Sequence, residues 1–247
     1  MSALLLRACL AAVLCGAVLG VIPSYIKVCR RSDPNINACI QDSIEQLRGK
    51  LREGIPELDA PPIEPLALKS IRLERGPSGA RLDLNLTDVK VVGPSTFKIR
   101  DLKADPENVV FNFKVGFDML KFSGKYQINA RILLLRLTGN GDITGNFSNY
   151  DSSVLLRARK VQRNNGVYLD FENMKIKIIV GSAKIHLTNL FNGDSVVGAA
   201  ANDLLNSNSE IFLDEIRPVL EENLSELLTR VANQITKSFT YDELFPK

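Results

Sequence analysis

Histidine occurs once in this 247-residue chain, tryptophan never, and cysteine only four times. A closed zinc site needs four Cys, His or carboxylate ligands, and nucleophilic catalysis needs an oriented base beside its nucleophile. His186 is the lone imidazole, and no Gly-x-Ser-x-Gly elbow accompanies it. Gly139, Gly141 and Gly145 miss the dinucleotide fingerprint, because Thr144 stands where the third glycine belongs. Neither sign of charge dominates either. The 31 basic and 28 acidic residues leave +3, Arg7 included, with no run of Lys and Arg, which excludes a dedicated nucleic-acid binder. No catalytic residue, metal or cofactor is therefore assigned. What the chain does hold is apolar side chains, 45% of residues against 24% charged, in ordinary globular proportion.

The one long uncharged run lies at the start. Arg7 followed by Ala8 to Leu19 reads as a secretory signal, with Val18 and Gly20 at the small-residue positions before a cut. A membrane anchor is the competing reading, but the run to Ile22 is shorter than the roughly 18–20 residues that span a bilayer. The expectation is a leader at residues 1–20, one ligand-binding domain at 21–247, and no stable membrane anchor after cleavage. Cys9 and Cys15 leave with the leader. Cys29 and Cys39 remain, an even pair in an oxidising compartment, and the simplest inference is one disulfide worth roughly 2–3 kcal/mol. Asn85-Leu-Thr87, Asn146-Phe-Ser148 and Asn223-Leu-Ser225 are glycosylation sequons, weak singly because such triplets arise by chance.

Three regimes follow. Asp33 and Pro34 open a helix whose Ile36, Ile40, Ile44, Leu47 and Leu51 form one stripe, closed by Gly54 and Pro56. Ile55 to Pro65, rich in proline, reads as a stiff extended connection. From about Leu66 to Phe191 the period is two. Leu82, Leu84 and Leu86; Val109, Phe111, Phe113, Val115 and Phe117; Ile128, Ala130, Ile132 and Leu134; and Met174, Ile176, Ile178 and Val180 each alternate with mostly polar residues. Gly76-Pro-Ser-Gly79, Gly139-Asn-Gly141 and Asn164-Asn-Gly166 read as turns, giving an antiparallel meander without parallel crossovers.

The last regime is a helix. Ser207 and Glu210 form its expected capping box, and Phe212, Ile216, Leu220, Leu224, Leu227, Val231, Ile235 and Phe239 its stripe. Asp214, Glu221, Glu222, Ser225 and Asn233 mark the opposite face. Pro218 is expected to kink or split it, and Val196 to Leu205 reads as a shorter helix before it.

An antiparallel sheet with one apolar face must cover that face, and the C-terminal helix carries the long apolar stripe available. A curved sheet wrapped around that helix solves both burials, making an α+β protein. Whether its interior is packed or hollow is not decided by periodicity. Phe111, Phe113 and Phe117 either line a ligand tunnel or fill a core. Tyr126 shares the parity of Ile128 and Ala130, so its hydroxyl points inward and needs a partner: a ligand oxygen, a buried protein group or water.

The mature opening, Tyr25-Ile-Lys-Val-Cys-Arg-Arg-Ser-Asp-Pro-Asn-Ile-Asn-Ala-Cys39, resembles the insect Takeout and juvenile hormone binding protein family. So do Leu51-Arg-Glu-Gly-Ile-Pro-Glu-Leu58, Ile63-Glu-Pro-Leu66, Ser123-Gly-Lys-Tyr126, Arg131-Ile-Leu-Leu-Leu135, Gly139-Asn-Gly-Asp142 and the ending Tyr241-Asp-Glu-Leu-Phe-Pro246. Arg136 departs from the family's usual proline and bears on local strand geometry. The resemblance implies the fold of lipid-transfer domains: a long helix wrapped by a highly curved antiparallel sheet, with a hydrophobic internal tunnel. It implies a secreted carrier, in haemolymph or a similar fluid, of a hydrophobic small molecule such as a juvenile hormone-like terpenoid or a fatty acid. It also implies a disulfide between Cys29 and Cys39, a ligand contact at Tyr126, and a link to circadian rhythm or feeding. The candidate lining is then Phe111, Phe113, Phe117, Ile132, Leu134, Phe171, Ile176 and Ile178 from strands, with Leu220, Leu224 and Leu227 from the helix. Two other readings compete. A hormone-modifying esterase lacks its nucleophile pattern, and a membrane-surface or host-defence protein lacks strong positive charge. The sequence names no protein partner.

Overall fold

The fold is described by a computed structural model covering residues 22–75, 82–132, 135–163 and 166–247. The expected leader, with Cys9, Cys15 and the cut before Val21, lies outside the described residues, as do Gly76-Pro-Ser-Gly79 and Leu134. Helix α1 spans Ile36–Glu53 and keeps its apolar stripe half-buried. It starts after the expected cap: Asn35 precedes it without a side-chain cap bond, while the Asp33 carboxylate accepts the Asn35 N–H at 2.7 Å within the preceding turn. Gly54, at φ 88°, ends it as a left-handed stop. The Cys29–Cys39 disulfide ties the chain's entry to this helix. The connection that follows is not extended throughout, since Pro56–Leu58 forms one tight helical turn.

Seven strands make one antiparallel sheet: β1 (Leu66–Arg75), β2 (Leu82–Val92), β3 (Lys98–Asp105), β4 (Val110–Ile132), β5 (Leu135–Arg163), β6 (Gly166–Phe171) and β7 (Lys175–Leu187). It is not the simple meander expected. The 23-residue β4 borders β3 along its first half and β2 along its second, and the 29-residue β5 borders β7 and then β6. The two runs Val109–Phe117 and Ile128–Ile132, separate in the sequence pattern, are two ends of one strand. Gly139-Asn-Gly141 is a second correction: it lies inside β5, not at a turn. Both glycines share the parity of buried Leu137 and Ile143, where the segment at Thr188–Leu190 passes so closely that a Cβ on residue 141 would sit 2.6 Å from the Thr188 carbonyl. Asn164 and Asn165 of the remaining turn reading lie outside the described residues; Arg163 and Gly166 on either side of them are paired.

Strands this long bend only if their pleat is interrupted. The interruptions line up. In β4 the buried side runs to Phe117 and resumes at Leu120; in β5 it changes between Phe147 and Tyr150, and in β7 between Val180 and Ala183. The pairs flanking these breaks are in register, so Asp118, Asn149 and Gly181 form a transverse crease across three adjacent strands. Asn149 takes φ 51°, and a Cβ on residue 181 would lie 2.9 Å from the Asn149 Cβ. Asp88 in β2 and Asp101 in β3, at φ 53° and 54°, mark bulges of the same kind. Asx residues tolerate this left-handed conformation better than other side chains do.

Helix α2 spans Ser195–Ser207, with the Asp194 carboxylate accepting the N–H groups of Val196 and Val197. Helix α3 spans Ser209–Thr236 and runs through Pro218 without a break; the division falls at Asn208 instead. The Ser207–Glu210 capping box is absent, Asn208 being the N-cap with no side-chain bond. A capping box does form at Thr240 and Glu243, before the short α4 (Tyr241–Leu244).

The expected polar face of α3 is the main correction, because Glu221 and Ser225 are buried. They belong to a series at i, i+4 spacing that bonds the outer edge of β7 and its approach. Asn202 exchanges bonds with the Leu187 N–H and carbonyl, and Asn206 does the same at Ile185. Glu221 accepts the Ile178 N–H at 2.9 Å, Ser225 donates to the Met174 carbonyl, Thr229 accepts the Met174 N–H, and Asn233 exchanges bonds with Phe171. An edge strand carries unpaired backbone groups that must be covered or solvated. Here two helices cover them with side chains, which closes the curled sheet onto α3. Among the described residues, no helix is long and apolar enough to cross a membrane.

Candidate ligand-binding interior

The apolar faces of sheet and helix meet in a chain of clusters. At one end, Leu73, Leu84, Tyr126, Ile128, Leu137 and Ile185 pack against α2 and the start of α3. In the middle, Leu120, Tyr150, Val154, Met174, Ile176 and Ile178 face Leu220 and Leu224. At the far end, Val109, Phe111, Leu169 and Tyr241 gather Ile40, Phe171 and Phe245. From Tyr126 to Phe111 the contour of β4 is about 50 Å at ~3.3 Å per residue.

The candidate lining is thus divided. Phe113, Phe117, Ile176, Ile178, Leu220 and Leu224 share the middle cluster, and Leu220 also touches the first. Phe111 and Phe171 belong to the far end, where Phe111 stacks on Phe245 at 5.8 Å, while Phe113 touches both regions. Leu227 is half-buried on α3 beyond these clusters. The side chain of Ile132 lies outside what is described. Sequence reasoning missed Tyr150, which meets Phe117 edge to face at 5.5 Å, and the Phe122–Phe147 pair. It also missed Tyr241 and Phe245, whose i, i+4 spacing in the quoted ending was the available signal.

Tyr126 is 3% exposed, and its hydroxyl donates to the Thr188 carbonyl at 2.6 Å. Burial pushes its pKa up to about 12. The single proton is committed within the protein, so a bound molecule meeting this hydroxyl finds an acceptor oxygen. Burial also drives Tyr150 well above the ordinary phenol value, a bond from Ser152 opposing it and the charge of Glu221 adding to it. Both phenols are therefore neutral at physiological pH, and nearby the Glu221 side chain meets Lys177 at 2.9 Å.

His186 stands exposed on the outer side of β7, opposite Thr144. No cluster of three or more potential metal ligands occurs among the described residues. Asn85 and Asn146 lie on β2 and β5, and the Asn223 amide donates to the Val219 carbonyl within α3 at 2.8 Å. A cleft of about 520 Å³ lies over β1, β2, β4 and β5 and is lined by polar residues, including Arg72, Asn85, Gln127, Asn129 and Asn140. It is not the apolar tunnel expected.

An apolar interior between a curled antiparallel sheet and one long helix defines a class of α+β protein. The chain belongs to the haemolymph juvenile hormone binding protein (JHBP) family, whose model matches residues 8–246. It is similar to the circadian clock-controlled protein daywake of Drosophila melanogaster, 22% identical over 233 residues that cover 91% of this chain and 88% of the relative. It is also similar to a putative beta-carotene-binding protein of Schistocerca gregaria, 23% identical over 224 residues, with 90% and 88% covered. Its fold matches Takeout 1 of Epiphyas postvittana with a TM-score of 0.76 at 20% identity, covering 90% of this chain and 100% of that one. The family is one of binding proteins for hydrophobic ligands.

Proposed function

We propose that this protein is a secreted, non-catalytic carrier that holds a long lipophilic small molecule, isoprenoid or acyl, between α3 and the sheet. One observation carries the reading. Phe113, Val115 and Phe117 share the parity of buried Val109 and Phe111 and pack against the cluster that holds Leu220 and Leu224, yet each is only half-buried. Accessible apolar area on an inward face is area that the chain's own atoms do not cover, and a hydrocarbon gains by covering it. The half-buried Leu220 and Leu224 opposite supply the second wall.

The energetics need no catalyst. About fifteen buried carbons at ~0.8 kcal/mol each contribute about 12 kcal/mol. An association cost of about 4 kcal/mol or more leaves roughly micromolar affinity. The relative named for beta-carotene supports a long apolar ligand, and the daywake relatives support a rhythm-related role. Secretion follows from the leader read at residues 1–20, and N-terminal sequencing of protein from culture medium should begin at Val21.

Solvent extraction of the secreted protein followed by mass spectrometry should yield a lipophile. A panel of terpenoids, fatty acids and carotenoids should displace a fluorescent apolar probe competitively. Protein that is empty from every source, and from which no member of the panel displaces the probe, overturns the reading.

A further inference from the structure

The outer face of the sheet carries a built polar trough. Strand register sets Arg72 opposite Asn85, Asn85 opposite Gln127, and Gln127 opposite Asn140, one row across four strands. The neighbouring row runs Asp83, Asn129 and Thr138. With Asn192 at the rim, these residues line the cleft of about 520 Å³. That lies within the roughly 300–1,000 Å³ of sites that enclose small ligands. Side chains in one row stand about 5 Å apart. Amides and hydroxyls at that spacing each donate and accept, as the hydroxyls of a pyranose do. Arg72 and Asp83 bring one charge of each sign to the lining, so the trough favours a neutral polyhydroxylated group over an ion.

An amide trough without an aromatic platform holds a free sugar poorly, because few contacts must offset the whole loss of translational freedom. A tethered sugar is spared most of that loss through its effective concentration. The tether is on the page: Asn85 lies in the trough and begins Asn85-Leu-Thr87. Leu86 points inward against the core while Asn85 and Thr87 alternate to the other face. The other two sequons lack such a seat. Asn146 is flanked across its strands by Lys121 and Lys184, and the Asn223 amide is engaged within its helix.

We propose that Asn85 is N-glycosylated and that the first sugars of its glycan lie in this trough. The donor is an oligosaccharide linked through pyrophosphate to a lipid carrier. The Asn85 Nδ2 forms a C–N bond to the anomeric carbon, the C–O bond to pyrophosphate breaks, the lipid pyrophosphate leaves, and the amide proton passes to a base. The proposal rests on entry into the secretory pathway.

The test expresses the full chain in insect cells twice, once with its own leader and once with the leader of an established secreted protein. Glycopeptide mass spectrometry of the secreted material should find Asn85 occupied. Enzymatic removal of the Asn85 glycan from the native fold should be about tenfold slower than after denaturation, as for any group shielded by folded structure. The variant Gln127→Ala/Asn129→Ala should release it at nearly the denatured rate while keeping occupancy. An unmodified Asn85 in secreted protein overturns the proposal, and equal native and denatured rates overturn the seating of the sugars. Retention only of the own-leader protein tells against the secretion reading alone, since the second leader still reports on Asn85.

Discussion

Glu221 has the chemistry of a surface residue and the position of a buried one, 9% exposed and facing the Ile178 N–H. Its worth lies in the acceptor more than in the charge. Lys177 is 80% exposed, so the ion pair is screened by water. Glu221→Ala leaves a buried N–H without a partner and should cost about 1–3 kcal/mol in urea unfolding. Glu221→Gln keeps an acceptor oxygen and should cost less than half of that, with Lys177→Ala close to neutral. Equal losses from Ala and Gln would show that charge, not backbone satisfaction, is the stabilising element. Glu64 offers the complementary case. Burial raises its carboxyl pKa, but N–H bonds from Gly93 and Ser95, the Ser95 hydroxyl and the charge of Arg52 together hold it below the ordinary value. A depressed folded pKa stabilises fully above the unfolded value of about 4.3 and less as pH falls through the folded one. The difference in stability between the protein and Glu64→Gln should therefore shrink on acidification below that value, as read from paired denaturant titrations at several pH values.

At the scale of the element, the crease and the edge cover decide the shape. Asn149 sits in the crease at φ 51°, where a β-branched residue is strained. Asn149→Val should destabilise by about 1–2 kcal/mol, whereas Asn149→Gly should be nearly neutral, and thermal denaturation separates them. These features also mark what the sequence can and cannot tell. Strand existence was readable because Val109 to Phe117 and Met174 to Val180 alternate cleanly. Strand length was not, because at Asp118–Met119 two successive residues face outward, so the pattern breaks where the strand continues. Gly139-Asn-Gly141 has the composition of a turn, and only the close passage of Thr188 and Asn189 explains glycine there. Glu221, Ser225 and Asn233 read as a solvated stripe because polarity in sequence does not distinguish water from a sheet edge as the partner. Their i, i+4 recurrence, with Thr229 between Ser225 and Asn233, was the legible clue.

Over the whole molecule, the fold class, the Cys29–Cys39 link and the pairing of the C-terminal helix with one curled sheet were all accessible from period, cysteine count and resemblance. Which inward residues the chain covers fully was not, because Phe111 and Phe117 have the same identity and parity but different degrees of burial. That difference depends on Phe245 returning from the end of the chain to cover Phe111, a contact between residues far apart in sequence. Leu224 gives the decisive measurement, since it lies on α3 among Phe117-side residues of the middle cluster. If the interior there is hollow, Leu224→Trp occupies space that a ligand would take. The ligand-free protein should then keep its stability within about 1 kcal/mol and lose affinity for the longest lipophiles first. If the chain's own side chains already fill that space, the larger ring forces overpacking and should cost about 1–3 kcal/mol in the ligand-free protein. Denaturant unfolding of delipidated wild-type and variant protein distinguishes the two by magnitude. A large loss of stability with unchanged binding of short and long lipophiles would place the ligand elsewhere than between α3 and the sheet.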